Sequence, residues 1–312
     1  MTGTKMATNT ATKMTSRRTT RTIRWSRHQI EGIALRLLRP VVIATLIVVT
    51  LFPFAYIFTA SMRDLSSIMR EPWRVWPTWS EWTLSAYREV LSSTASGGQG
   101  FLGLMLNSAI IALSTVVVTL ILAVPGAYAV SRLEFFGRRR LSALFLTVYL
   151  FPTILLAVPL FVLFTRLGVR GELAVLVLVY VSQTIAVALF MLRNYFDTIP
   201  ESIEEAAALD GLGRIGILCR IIIPLSLPSM MSTALFVFMI AWNEFLFALL
   251  FLVEDRGRWT VSLGLAQLTD NLEIPPTALM AGSVVLTLPI IIVFFTTQRL
   301  LQGGLTAGAE KG

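Results

Sequence analysis

The sequence predicts an all-α membrane protein with six transmembrane helices and both termini in the cytoplasm. Its 312 residues are 55% hydrophobic and only 14% charged, and a mean hydropathy of +0.74 lies outside the range of soluble domains. Apolar runs recur along the chain at about the 20-residue length that a helix needs to cross a bilayer. Lys and Arg are concentrated in alternate connecting segments, which indicates the orientation of the helices.

Each predicted span is an apolar run with at most one charged side chain. We interpret the first span as an uncleaved anchor, because a signal peptide has a shorter apolar core. Pro152 and Pro159 predict a bend in the third span. The six predicted spans are residues 41–60, 101–130, 141–164, 173–192, 230–253 and 278–301.

The membrane domain is predicted to cover residues 40–302, and the segments on either side of it are predicted to be tails. Residues 1–39 carry nine Lys or Arg and one acid, a composition that predicts a mostly disordered, basic cytoplasmic tail. Residues 303–312 are predicted to form a short cytoplasmic C-terminal tail. Counting Lys and Arg outside the spans and at their ends gives 18 on the predicted inner side and eight on the outer side, as the positive-inside rule requires.

The inner segment 193–228 is an exception, because it carries five acids and three bases. An acidic inner loop fits a protein partner better than anionic lipid. Ser202 and Glu205 have the spacing of a capping box and predict a helix that begins near 200–202. Gly211 then predicts a sharp turn into a second helix. The sequence therefore predicts a helix–turn–helix at the membrane surface.

This loop carries a motif of a known family. Glu205-Ala206-Ala207-x-x-Asp210-Gly211, followed by Ile221-x-Ile223-Pro224, closely resembles the EAA loop of the membrane subunits of binding-protein-dependent ABC importers. Ile223 stands where the family usually has leucine. Ile199-Pro200-Glu201-x-Ile203-Glu204 and Ala241-Trp242-Asn243-Glu244-Phe245 are similar to the carbohydrate branch, in particular to the smaller membrane subunit of maltose-type systems.

The resemblance implies a type I ABC importer transmembrane domain in the cytoplasmic membrane. It implies a second permease subunit, two ATPase subunits that bind ATP and Mg, and an extracytoplasmic binding protein for a sugar such as a trehalose- or maltose-like disaccharide. It implies no cofactor in this chain and no nucleic-acid partner. Two small residues on one helix face, Ala206 and Ala207, would allow the ATPase to approach closely. The implied coupling residues are Glu201, Glu204, Glu205, Ala206, Ala207, Asp210, Gly211 and Pro224.

Polar groups inside the predicted spans are candidates for the translocation path. Glu244 is the only acid in any predicted span, and a charge at that depth is costly unless it faces water or a partner. It could line the path or pair with another subunit. Gln183 could likewise line the path or bond between helices. The path candidates are Trp242, Asn243, Glu244, Phe245, Gln183 and Asn107.

The two long outer segments are candidates for contact with the binding protein. The first, 61–100, contains four tryptophans, which suit either a soluble partner or the membrane interface. The second, 254–277, resembles the loop that maltose-type permeases extend toward the sugar cleft of their binding protein. The contact candidates are Asp270, Asn271, Glu273 and Trp79.

Other classes of function are disfavoured by what the sequence lacks. It contains no nucleotide-binding loop, zinc spacing or nucleophile elbow, so we expect neither an enzyme nor a metal site. A secondary transporter would need intramembrane coupling groups, and only Glu244 is available. An importer of another solute, such as glycerol phosphate or an amino acid, stays open.

Overall fold

The structure is a computed structural model that describes residues 27–270 and 274–309. By its internal contacts the chain divides into two units, Met1–Pro53 and Phe54–Gly312. The described part of the first unit is helical. The second unit is built from helices, short 3-10 turns and one isolated bridge between Arg63 and Trp82. The architecture is therefore all-α over the described residues, as the composition predicts.

The α-helices differ widely in length, from single turns to helices longer than a bilayer span. They are α1 (Arg27–Ser61), α2 (Leu65–Arg70), α3 (Ser85–Leu91), α4 (Phe101–Arg132), α5 (Arg138–Tyr149), α6 (Ala157–Arg166), α7 (Leu173–Phe196), α8 (Glu201–Leu209), α9 (Arg214–Ile217), α10 (Ile223–Leu225), α11 (Leu227–Asn243), α12 (Leu246–Leu252), α13 (Val261–Asp270) and α14 (Pro276–Ala309).

Among the described residues, four helices are long and apolar enough to cross a membrane, and a bent pair raises the number to five. The four contain the predicted first, second, fourth and sixth spans. The bent pair joins Arg214–Leu225 to Leu227–Asn243 at an angle of 77°. Helix α1 begins at Arg27 and α14 ends at Ala309, so both extend into the segments predicted as tails. The six-span topology and the cytoplasmic termini stay predictions.

The third predicted span is broken, as its prolines predict, whereas the prediction of a continuous helix is wrong for the fifth span. The third breaks between α5 and α6, where Pro152 lacks an N–H and disfavours helical geometry at Phe151. The fifth breaks at Glu244, whose backbone is extended at φ −65° and ψ 132°. Its carboxylate accepts hydrogen bonds from the amides of Phe247 and Ala248 and so caps α12.

Helix α4 is central to the second unit, because it packs along α7 and also against α11. A hydrogen bond of 3.2 Å joins Thr119 on α4 to Thr184 on α7. Below it, a Cβ on Gly126 would lie 2.8 Å from the Leu189 side chain, so the glycine permits the close contact of the two helices. This pair forms the frame on which the candidate site is built.

Candidate functional site

The predicted helix–turn–helix is present between α7 and α11. Helix α8 begins at Glu201 with Pro200 as its N-cap, and the predicted capping box of Ser202 and Glu205 is not formed. Gly211 has φ +88°, a left-handed conformation that favours glycine. Helix α9 follows at Arg214 and continues through a π-helical turn, Leu218–Ile222. We call residues 200–225 the coupling loop, after the role that the sequence resemblance implies for them.

One arginine holds the buried face of the coupling loop against the end of α4. Arg132 Nε donates to Glu204 Oε1 at 2.6 Å, and both side chains are about nine-tenths buried. Arg132 Nη2 donates to the carbonyls of Phe196 and Ile199 at 2.8 and 2.6 Å. The Tyr128 hydroxyl donates to the other Glu204 oxygen at 2.9 Å. We call these groups the Arg132 clamp.

A second contact and an apolar cluster reinforce the Arg132 clamp. Ser131 donates to Asp197 Oδ1 at 2.6 Å, which joins the ends of α4 and α7. Ala207, only 6% exposed, packs in a core with α4 and α7 residues and with Ile217 and Ile222 of the second half of the loop. Because a buried hydrogen-bonded ion pair and an apolar core act together here, α8 is held firmly to α4 and α7.

These contacts change the interpretation of two predicted coupling residues. Glu204 and Ala207 face the interior of this chain, whereas Ala206 is exposed. The expectation that both alanines share a surface open to a partner is therefore wrong, because the α8 face that contains Ala207 packs on α4 and α7. Glu201 is largely exposed and lies 3.8 Å from Arg132 Nη1.

The opposite face of the coupling loop is formed by exposed side chains. Glu205 and Asp210 are exposed, and the Glu205 side chain forms no hydrogen bond or ion pair in the described part of the chain. Leu209 is 90% exposed and Ile215 is 80% exposed. Two bare apolar side chains beside carboxylates are typical of a surface that a protein partner covers. Pro224, in α10, is also exposed.

Sequence reasoning did not find Arg132, which it counted only as one of several positive charges in a short inner loop. Nothing in the sequence distinguishes it from Arg138 or Arg140. Its position becomes decisive only when the folded chain brings the end of α4 against α8.

Glu244 lies at a polar junction where three helices meet. The Tyr180 hydroxyl of α7 donates to Glu244 Oε2 at 2.5 Å. The Ser262 hydroxyl of α13 donates to the Glu244 backbone carbonyl at 2.6 Å. The Tyr180 hydroxyl and the amides at the start of α12 satisfy the carboxylate inside the chain, while Ser262 satisfies the backbone carbonyl. The observed contacts are those of a structural junction.

The neighbours of Glu244 are divided between core and surface. Trp242 is 2% exposed, stacks on Phe238 and donates its indole N–H to the Leu286 carbonyl at 3.1 Å. Asn243 and Phe245 are exposed, and Asn243 donates to the Met239 carbonyl. The interpretation of Trp242 as a candidate for the translocation path is therefore wrong, because the indole ring fills the core.

The two polar path candidates on other spans have different environments. Asn107 on α4 donates to the carbonyls of Gly257 and Trp259 at 2.8 and 3.0 Å, so it holds an outer loop in place. Gln183 on α7 borders a cavity of about 550 Å³, and its buried Nε2 has no hydrogen-bond partner among the described residues.

Comparison with known proteins decides the family. Residues 116–306 match the family described as the binding-protein-dependent transport system inner membrane component. The chain belongs to this family. It is a multi-pass permease of the cytoplasmic membrane. It is 38% identical over 270 residues to the inner membrane ABC transporter permease protein YcjP of Escherichia coli, covering 86% of this chain and 94% of YcjP.

Two further proteins extend the comparison. The permease is 38% identical over 266 residues to the trehalose/maltose transport system permease protein MalG of Thermococcus litoralis, covering 85% and 93% of the two chains. It also resembles a chain in the crystal structure of a bacterial ABC transporter that imports the acidic polysaccharide alginate. That match has a TM-score of 0.72 and 25% identity, and covers 88% of the permease and 98% of the other chain.

The first outer segment of the permease is ordered by a buried arginine. Arg63, 1% exposed, donates to the carbonyls of Ser67 and Arg74. Arg74 in turn forms an ion pair with Glu81, which also accepts from the Thr78 amide at 2.8 Å. Trp79 is 96% exposed on this framework. The segment therefore presents Trp79 from a fixed backbone.

The second outer segment of the permease is only partly described. Asp270 is the last residue of α13, and its side chain, like Asn271 and Glu273, lies outside the described residues. Contact of these residues and of Trp79 with a binding protein stays a prediction.

The Glu81 network has a defined pH dependence. Hydrogen bonds from Thr78 lower the pKa of the Glu81 carboxyl from 4.5 to about 2. A lowered folded-state pKa stabilises the fold above the unfolded pKa, and that stability is lost as the pH falls toward about 2. We expect Glu81→Gln to be cut by pepsin faster than the wild type at pH 4, with the difference narrowing at pH 2.

Glu89→Gln is the matched control for this experiment, because Glu89 belongs to the same outer segment and its side chain makes no hydrogen bond within the described residues. Equal cleavage of Glu81→Gln and the wild type at pH 4 would show that the carboxylate does not hold the segment.

Proposed function

We propose that this permease is the membrane subunit of an ATP-driven importer that takes up a disaccharide or oligosaccharide. A second permease subunit would complete the membrane part, two ATPase subunits with ATP and Mg would bind on the cytoplasmic side, and an extracytoplasmic binding protein would deliver the sugar. The single observation that carries the ATP-driven part is the coupling loop. It presents a bare apolar and acidic surface on one side and is locked to α4 and α7 on the other.

The mechanism follows from that two-sided construction. Leu209, Ile215 and Glu205 would contact a groove of the ATPase, because they are exposed and unpaired within the described chain. Closure of the ATPases would displace α8. The Arg132 clamp would pass the displacement to α4 and α7 as a rigid-body movement. Tightly packed, fully hydrogen-bonded contacts do not deform continuously, so the helices move together.

A sugar substrate is supported by the relatives. One belongs to a trehalose/maltose system and the structural neighbour to an alginate importer. The cavity beside Gln183 adds support, because none of the described residues that line it is charged. Such a lining suits a neutral solute better than a phosphate or an amino acid.

The test is ATP hydrolysis by the purified complex. We expect this chain to co-purify with an ATPase and a second permease, and hydrolysis in lipid to rise several-fold only with a binding protein loaded with its sugar. Stimulation by a loaded amino-acid or glycerol-phosphate binding protein instead would reject the sugar assignment. Uptake into liposomes by this chain alone, without ATP, would reject the importer itself.

A further inference from the structure

The cavity beside Gln183 lies where the third predicted span breaks. It is bounded by the end of α5, by the 3-10 turn Thr153–Leu156, by the middle of α7 and by α11. Its volume of about 550 Å³ is in the range of about 300–1,000 Å³ that small-molecule sites occupy. Pro152 contributes to this break, because it lacks an N–H for a helical hydrogen bond and disfavours helical geometry at the preceding residue.

Gln183 supplies an unused donor to this cavity. Its Nε2 is buried and has no partner among the described residues, whereas buried amide groups are nearly always paired in native proteins. Ser182 beside it donates its proton to the Val179 carbonyl at 2.6 Å, so its oxygen remains available as an acceptor. The α7 wall therefore offers an adjacent donor and acceptor.

The remaining lining completes a site for a hydroxylated ligand. Phe151 and Phe236 contribute aromatic rings, which pack against the C–H faces of sugar rings. Thr153 contributes another hydroxyl group. Donors, acceptors and aromatic rings without a charge match a neutral polyol. A lipid acyl chain would fill the apolar part and leave the Gln183 amide unpaired.

We propose that this cavity is a transient binding site for the transported sugar within this subunit, with Gln183 donating to a sugar hydroxyl. The inference rests on the proposed function and adds a substrate contact to it. In this arrangement the solute touches α7 and α11, the helices that join the coupling loop at its two ends. Movement of the loop would then alter the site directly.

The test uses the complete complex in liposomes with the loaded binding protein. We expect Gln183→Leu, which keeps the size but removes the donor, to lower sugar uptake about tenfold, as the loss of a buried hydrogen bond implies. Stimulation of ATP hydrolysis by the loaded binding protein should stay near the wild-type level. Phe236→Ala should behave in the same way.

Gln267→Leu is the control and should leave sugar uptake unchanged, because Gln267 lines a separate cavity next to Phe101 and Trp259. Wild-type uptake by Gln183→Leu would overturn the inference, and so would a parallel fall in stimulated hydrolysis, which would indicate a structural role. A lipid that occupies the cavity in the wild-type complex and is retained by Gln183→Leu would assign the cavity to lipid and also overturn it. Absence of ATP-driven uptake by the wild type would instead reject the proposed function.

Discussion

Replacing Arg132 with methionine is expected to lower both the stimulation of ATP hydrolysis by the loaded binding protein and sugar uptake. The change leaves Glu204 buried without its cation and two carbonyls without their donor, and breaking a buried ion pair in this way costs about 3–5 kcal/mol. Helix α8 would then move without carrying α4. We expect the stimulation of hydrolysis by the loaded binding protein to fall about 5- to 150-fold, the usual range of coupling free energies. Uptake should fall with it.

Further variants separate the Arg132 clamp from general damage. Glu204→Leu breaks the same contact from the α8 side and should reproduce the loss. Glu204→Gln retains one acceptor oxygen for Arg132, and its amide can donate to the Tyr128 oxygen, so it should be milder than Glu204→Leu. Arg140→Met removes an exposed positive charge from the same inner region and should be neutral. Full stimulation in an assembled Arg132→Met complex would show that the clamp does not transmit the movement.

Replacing Gly211 with proline is expected to abolish uptake while leaving the protein in the membrane. Proline fixes φ near −65°, whereas Gly211 has φ +88° and donates its N–H to the Ala208 carbonyl at 3.0 Å. The turn between α8 and α9 must therefore change direction. A Cβ at this position meets no atom within 4 Å, so the spans keep their packing. ATP-driven uptake, normalised to membrane-inserted protein, measures the effect.

Gly213→Pro is the matched control, two residues along the same loop. Gly213 has φ −74°, which is compatible with proline, and its N–H donates no backbone hydrogen bond among the described residues. We expect it to retain most of the uptake. Equal uptake by Gly211→Pro and the wild type would mean that the geometry of the turn is irrelevant to transport.

Much of the fold follows from local sequence signals. The apolar runs that form α4, α7 and α14 contain few polar or charged side chains, so their length and composition were enough to predict these helices. The coupling loop was also predictable, because Pro200 suits the start of a helix and Gly211 can adopt positive φ without penalty. The resemblance of Glu205–Gly211 to a known motif added the expected partner, and the comparisons confirmed the family.

The features that the sequence predicted wrongly, or did not predict, depend on contacts between residues distant in sequence. Glu244 breaks a span because its carboxylate accepts hydrogen bonds from the backbone amides of Phe247 and Ala248. Tyr180 on another helix stabilises this arrangement with a further hydrogen bond. Trp242 is buried because α14 supplies the Leu286 carbonyl to its indole. Arg132 is selected among several arginines only by the position of Glu204. Hydropathy and motif spacing contain none of this information.

Single-cysteine cross-linking tests the central claim, that the exposed face of the coupling loop contacts an ATPase. The native thiol Cys219 is exposed and is first replaced by serine. Leu209→Cys and Glu205→Cys should then cross-link to the ATPase in the assembled complex, with a yield that changes on ATP binding. Ala207→Cys, whose side chain is buried, should give no such product. An assembled complex in which neither exposed position cross-links would contradict the account.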